Sequence, residues 1–350
     1  MNDTSGKISH VAFEQLVLSK CGAKREEVRV GPYFGVDVSL IDLPGQMAMA
    51  VTSDPLSLIP SLGLEESAWL SVHLMANDMA TTGFAPMYGQ FVLNLPAAIS
   101  KNDFKIYWEY IDKFCTEIGL AITGGHTGFM EGQNSTIAGG GTFITVAPKA
   151  EVLVSQYAQA GNSILVTKEA AISSSAILAM SFPETVRNKI GIENYQKACS
   201  LFYQTSSLKD ALTAVGENRP GAVTAMHDVT EGGLLGAIYE LACASGNGAV
   251  IYNEQLPVGH VQHEICRLFS IDPRYSVGAG SMIICCQKGT APSVIERLRR
   301  ENIPCVEVGE IKEKDYGIKL TQNGVEQDLV YQAEDPYWAA FFNAYKAGWK

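Results

Sequence analysis

At 350 residues, 47% apolar and 18% charged, the chain is long enough for two domains and apolar enough to bury large cores, which excludes a disordered polypeptide. Twenty-six basic residues against 37 acidic ones give a formal net charge of −11, a field that repels nucleic acid and anionic membrane surfaces, so neither is expected as a partner. No apolar run approaches a membrane span and Met1 to Gly6 form neither a basic nor an apolar leader, so a cytoplasmic protein is expected.

Residues 36–54 read as a hairpin about Pro44-Gly45, with Asp54-Pro55 expected to end its second strand. A helix follows, with Ser67 as its expected cap, Trp69, Val72, Met75 and Met79 at helical spacing, and Gly83 and Pro86 beyond its end. Tyr88 to Leu95 is strand-like and 103–118 helical; Ala121-Ile122-Thr123 is a short strand entering the glycine stretch 124–128. Ile137 to Val146 is a strand interrupted by Gly139-Gly140-Gly141. A change of texture at 148–162 suggests domains at 1–155 and 156–315, with 316–350 as an extension whose aromatic helix (Trp338, Phe341, Phe342) packs back on the body.

The second half opens with the strand Ser163 to Thr167 and passes through a helical stretch between about 173 and 218. Ala222 to His227 is a strand that delivers Asp228 to a turn, and Leu234, Ile238 and Leu241 mark a helix that stops at Gly246. Short strands at 248–252, 282–286 and 305–308 and a helix at 291–301 complete the pattern. The alternation places both halves in the mixed α/β class. The eight cysteines include no C-x-x-C pair and read as reduced core thiols.

Asp37, Asp54, Asn77-Asp78 and Asp228 stand at strand ends or beside glycine and proline, where α/β proteins display functional groups, and His126 lies between glycines. Taken singly, each is better explained by a turn, a helix cap or a wet helix face. Together they form a set of hard oxygen ligands suited to Mg²⁺ rather than zinc, and divalent ions would reconcile an acidic protein with a polyphosphate. Gly124-Gly125 and Gly232-Gly233 could let backbone amides approach phosphate, the second pair at a helix start. Neither G-x-x-x-x-G-K-[ST] nor G-x-G-x-x-G occurs, so a P-loop and a Rossmann site are excluded. His260, His263 and Cys266, three apart, read as an ordinary helix face rather than a metal site.

The sequence resembles the aminoimidazole ribonucleotide synthetase-like (PurM-like) ATP-dependent superfamily, and within it the HypE-like branch of hydrogenase expression/formation proteins. The resemblance rests on Gly35 to Leu43, Val51 to Leu56, Val72 to Pro86, Gly124 to Thr127, His227 to Leu234 and Gly278-Ala279-Gly280, in family order over roughly residues 30–310. It implies two α/β domains and a four-stranded N-terminal sheet that pairs with a second copy into an eight-stranded barrel, hence a homodimer. It also implies ATP and Mg²⁺ as cofactors and a small-molecule substrate activated by phosphoryl transfer. Position by position it implies metal ligands at Asp37, Asp54, Asp78, His126 and Asp228, with Asp54 and Asp78 catalytic. Nucleotide contacts would come from Asp37, Asn77, Gly124, Gly125, Thr127, Asp228, Thr230, Gly232 and Gly233.

Some positions depart from the family pattern. His126 stands where the family has an acid, and Glu169 to Ser175 replaces a glycine-rich loop. The last residues, Ala347 to Lys350, lack the reactive cysteine of the dedicated hydrogenase maturation proteins, so no thiocyanate intermediate is expected. Cys21-Gly22-Ala23-Lys24 is only superficially like the cysteine–lysine pair of selenophosphate synthetases. A non-catalytic nucleotide-binding paralogue and a thiamine monophosphate kinase-like phosphotransferase are the competing readings.

Overall fold

The computed structural model describes residues 6–350 except 218, 220 and 333. After helix α1 (His10–Leu16), the first sheet is built from β1 (Val28–Val30), β2 (Ser39–Leu43), β3 (Met47–Ser57), β4 (Tyr88–Pro96), β5 (Ala121–Met130) and β6 (Ile137–Pro148), in the order β1-β2-β3-β6-β4-β5. Helices α2 (Leu64–Ala80) and α3 (Lys101–Glu117) cover one face. The hairpin turns as expected about Pro44-Gly45, with Leu43 opposite Met47.

The sheet has two strands more than the four implied. One is the short β1. The other is β5, which carries the glycine stretch as a ten-residue strand paired in parallel with β4, because that open edge offers a complete ladder. A second difference is that β3 runs on through Asp54-Pro55 to Ser57, held by β6. Its pairing with β2 ends at Val51, so Pro55 lies where that edge is bare and a missing donor is tolerated. Helix α2 starts after Gly63 instead of at Ser67; the Ser67 hydroxyl, inside the first turn, donates to the Gly63 carbonyl at 2.6 Å and accepts from Ile59 N at 2.8 Å.

The second sheet contains β7 (Ser163–Thr167), β8 (Val223–Asp228), β9 (Gly248–Tyr252), β10 (Met282–Cys286), β11 (Cys305–Lys312), β12 (Ile318–Gln322) and β13 (Val325–Asp328), in the order β13-β12-β9-β11-β7-β10-β8. Strands β7 and β10 are buried throughout, which is why they read as unbroken apolar runs. The helices are α4 (Ile172–Ser181), α5 (Pro183–Ile190), α6 (Ile192–Ser200), α7 (Leu208–Val215), α8 (Gly233–Ser245), α9 (His260–Leu268), α10 (Ala291–Arg300) and α11 (Pro336–Lys346). Residues 318–328 thus add a hairpin to this sheet before α11 packs with α4, α5 and α9 around Phe182, Phe269 and Tyr337.

The largest apolar cluster crosses between the halves, joining Leu40, Met75, Phe91 and Phe143 to Val215, Met226, Met282 and Leu298. That shared core fixes the position of β8, at the edge of the second sheet, relative to β3 and α2. All eight cysteines are free. Among the described residues no helix is long and apolar enough to cross a membrane.

Candidate active site

A cleft of about 500 Å³ opens where β3 overhangs β2, and carboxylates from four separate segments line it. Asp37 comes from the loop before β2, Asp54 from β3, Asp78 from α2 and Asp228 from the end of β8, with Thr52, Thr230 and Lys7 also in the wall. Local sequence explains the placement. The loop that carries Asp37 lies directly on α8 at Gly35, which has φ +76°; a Cβ there would stand 2.2 Å from the Glu240 carbonyl oxygen. Only glycine fits that approach.

A buried chain of charges fixes Asp37. His227 Nδ1 is 2.7 Å from Asp37 Oδ2 and its Nε2 is 3.3 Å from Glu240 Oε2; Tyr331 donates to Glu240 Oε1 at 2.7 Å. Burial alone would lower the His227 pKa, but Asp37 and Glu240 outweigh it and hold the imidazole well above its usual value, as a cation donating from both ring nitrogens. Burial likewise works against the Glu240 carboxylate, yet Lys7, His227 and Tyr331 bring it down to about 2.

The remaining acids are frustrated. Burial pushes Asp54 up to about 6 and Asp228 up to about 7. Asp78 is raised well above the usual range by burial and then by Asp228, Asp54 and Asp37, although Thr52 donates to its Oδ2 at 2.8 Å. Asp228 Oδ2 is buried and has no hydrogen-bond partner. Ligand atoms of Asp37, His227 and Asp228 lie within 4.8 Å of one another. Because His227 Nδ1 is engaged with Asp37, the donors left over are carboxylate oxygens. An orphaned buried oxygen amid mutually repelling carboxylates fits a hard divalent cation such as Mg²⁺.

The sequence matches the family model of the AIR synthase related protein N-terminal domain over residues 35–146 and that of its C-terminal domain over residues 159–320. The chain belongs to the AIR synthase-related family. Among curated proteins it is similar to carbamoyl dehydratase HypE of Cupriavidus necator, 26% identical over 235 residues, which are 66% of this chain and 62% of that protein. Among solved structures it is similar to hydrogenase maturation protein HypE in complex with ATP, with a TM-score of 0.68 and 18% identity over 96% of this chain and 98% of that one. It is also similar to the structure "AaThiL complexed with AMPPCP and TMP", with a TM-score of 0.70 and 15% identity over 93% and 97% of the two chains. These likenesses place the fold in the PurM-like superfamily with the HypE-like branch, as the sequence resemblance implied.

The site differs from the family-based residue set in three places. Asn77, expected at the phosphate, is fully buried: its amide donates to Thr205 O at 2.9 Å and accepts from Ser207 N at 2.7 Å. It ties α2 to the second half because one helical residue from Asp78 is a rotation of about 100°. Gly124, Gly125, His126 and Thr127 lie on β5, and β6 and β4 separate them from β3. Gly125 shares a row with Asp54 through Gly141 and Phe91, about 14 Å across three strand spacings. His126, one residue on, projects from the opposite face of the sheet and is not in the cleft.

The third difference is at Gly232-Gly233. They do open α8, but the Gly232 amide donates to Asp335 Oδ2 at 2.7 Å, so a carboxylate from the chain itself takes the expected phosphate position. Asp335 also accepts from Tyr337 N at 2.8 Å as the cap of α11. Burial raises its pKa to about 6. The folded protein therefore binds a proton here between about pH 4 and 6 that the unfolded chain has lost, and stability falls as pH rises through that window. Asp335→Asn is expected to flatten that decline; urea denaturation midpoints from pH 4 to 7 that keep the wild-type slope would refute the assignment. His260, His263 and Cys266 do share α9, with Cys266 buried and both histidines exposed; they form no metal cluster among the described residues.

Three functional candidates escaped the sequence reading: Lys7, His227 and Glu240. In the sequence His227 stands out only as the neighbour of Asp228. Its Nδ1 meets Asp37 at 2.7 Å and lies 4.0 Å from Asp228 Oδ1, and the pairing with Asp37, 190 residues away, is a relation that needs the fold.

Proposed function

We propose that this protein is an ATP- and Mg²⁺-dependent enzyme that activates a small-molecule acceptor by phosphoryl transfer, with the carboxylate cleft as its nucleotide-phosphate site. The observation that carries this reading is the convergence of Asp37, Asp54, Asp78 and Asp228 from four separate segments on one cleft. The nucleotide complexes of structures sharing the fold support it. Asp37, Asp54, Asp78 and Asp228 would hold the metal, which when bound neutralises polyphosphate charge and the charge developing on the transferred group. The chain's own part is positioning. Thr52 orients Asp78, His227 orients Asp37, and β3 and α2 supply a rigid wall. An acceptor oxygen of an amide, carbonyl or acid suits the same chemistry, since its phosphorylation makes a leaving group.

Calorimetry with ATP and Mg²⁺, followed by ADP release across a panel of carbamoyl, carboxylate and thiamine phosphate acceptors, tests the reading. Binding followed by acceptor-dependent ADP release is expected. No binding of any adenine nucleotide would remove the reading, and binding without turnover would leave a nucleotide-binding paralogue.

We also propose that the open face of the first sheet pairs with a second copy. Tyr88 and Val92, both about two-fifths exposed, lie on that face with the half-buried Met49, Val51 and Ile144. Sedimentation should give a dimer.

A further inference from the structure

We propose that Lys7 is a phosphate-binding residue, set at the mouth of the carboxylate cleft by a strap of residues 6–10 so that its ammonium meets the outermost phosphate of a bound polyphosphate. This rests on the reading of the cleft as a polyphosphate site.

Among the described residues Lys7 is the one basic side chain that lines the cleft. The strap is anchored on both sides of it. Lys7 N donates to Glu231 Oε2 at 2.7 Å, and His10 stacks on Phe34 with ring centroids 3.8 Å apart. Gly6, at φ +113°, lies so close to Glu231 that a Cβ would stand 2.6 Å from its Oε2. The positive φ favours glycine at the point where the lysine enters.

The lysine is held near the acids but not neutralised by one of them. Its Nζ donates to Thr230 Oγ1 at 2.9 Å, and its nearest carboxylate oxygen within ion-pair range is Glu240 Oε2 at 3.9 Å. An ammonium has three N–H donors, so two remain uncommitted to the described residues. The side chain is half-exposed on the cleft. Lys7 thus acts on Glu240 through its charge across 3.9 Å and closes on no carboxylate at hydrogen-bond distance among the described residues.

Lys7 also borders a second cavity of about 230 Å³, lined by Phe13, Tyr33, Phe34 and Tyr331. The ammonium therefore stands at the doorway between an acidic chamber and an aromatic one. A terminal phosphoryl group at that doorway is held by Lys7 on one side and by the metal-bearing acids on the other.

Calorimetric titration of the full chain tests this with three probes: Mg²⁺-ATP, Mg²⁺-tripolyphosphate and Mn²⁺ alone. For Lys7→Gln, binding of both phosphate ligands should weaken about 10- to 100-fold. Lys7→Arg should recover most of that loss. Binding of Mn²⁺ alone should be unchanged or tighter in Lys7→Gln, because a like charge has gone. Undiminished Mg²⁺-ATP binding by Lys7→Gln would overturn the proposal and leave the ATP reading intact. So would an equal loss of Mn²⁺ binding, which would make Lys7 a mere prop of the cleft. Lys7-dependent tripolyphosphate binding without adenine-nucleotide binding would support Lys7 and refute ATP as the ligand. Failure of the wild type to bind either phosphate probe would overturn both.

Discussion

Asp54→Asn is expected to lower ATP turnover by at least about 100-fold while raising the thermal midpoint of the metal-free protein. The two effects have one cause. Asp54 lies mostly buried beside the other acids, and burial holds its pKa at about 6. Above that pH its ionisation in the folded state is uphill relative to the unfolded chain, so the folded protein carries a strain on the order of 1–2 kcal/mol that Asn removes with little change of shape. A divalent cation bound among these acids would relieve the same strain in the wild type, which would make the strain part of the metal's binding energy. Wild type should therefore gain thermal stability on adding Mg²⁺ or Mn²⁺, and Asp54→Asn should gain much less. An ADP-release assay and thermal melts at pH 8, with and without metal, read both effects. Full turnover by the variant, or a metal-free variant less stable than wild type, would show that Asp54 serves the fold and not the chemistry.

Why those four acids could be found from sequence, and other residues could not, follows from where the information sits. Asp37, Asp54 and Asp228 are announced by their neighbours: a glycine loop before a strand, a proline after the acid, a strand that ends in a turn. Helical spacing places Asp78 on a helix, and the resemblance of Val72 to Pro86 to the family pattern singles it out. The hairpin about Pro44-Gly45 and the buried strands β7 and β10 were legible for the same reason, since period and punctuation are local. Gly124 to Thr127 misled because a glycine run has the composition of a loop. Here the free edge of β4 pairs with nine residues of β5, and pairing overrides propensity. Gly232 was rightly placed at a helix start, but its partner Asp335 is 103 residues away and left no local trace. Lys7 was equally hidden. Nothing in a short terminal segment says which cleft it will enter; that is decided by Glu231 and Phe34, distant surfaces on which it docks.

The largest stability effect is expected at His227. The side chain is 2% exposed and stands between Asp37 and Glu240, themselves nearly buried. His227→Ala would leave Glu240 charged at neutral pH in an apolar setting with a cavity beside it, and would free Asp37 to turn away from the cleft. Breaking a buried ion pair from one side typically destabilises by about 3–5 kcal/mol, a large part of the stability of a domain. Tyr331 and Lys7 would still face Glu240, which places the expected value toward the lower end of that range. A charge explanation differs from a packing one in a double substitution. Adding Glu240→Gln to His227→Gln removes the stranded anion, so the double variant should be more stable than the two single losses predict, by about 1–2 kcal/mol. Simple additivity in urea denaturation would mean that His227 acts by filling space alone. A non-additive result with metal affinity still reduced would locate its contribution in holding Asp37 toward the cleft, because the double variant restores charge balance around residue 240 but leaves Asp37 without its imidazolium.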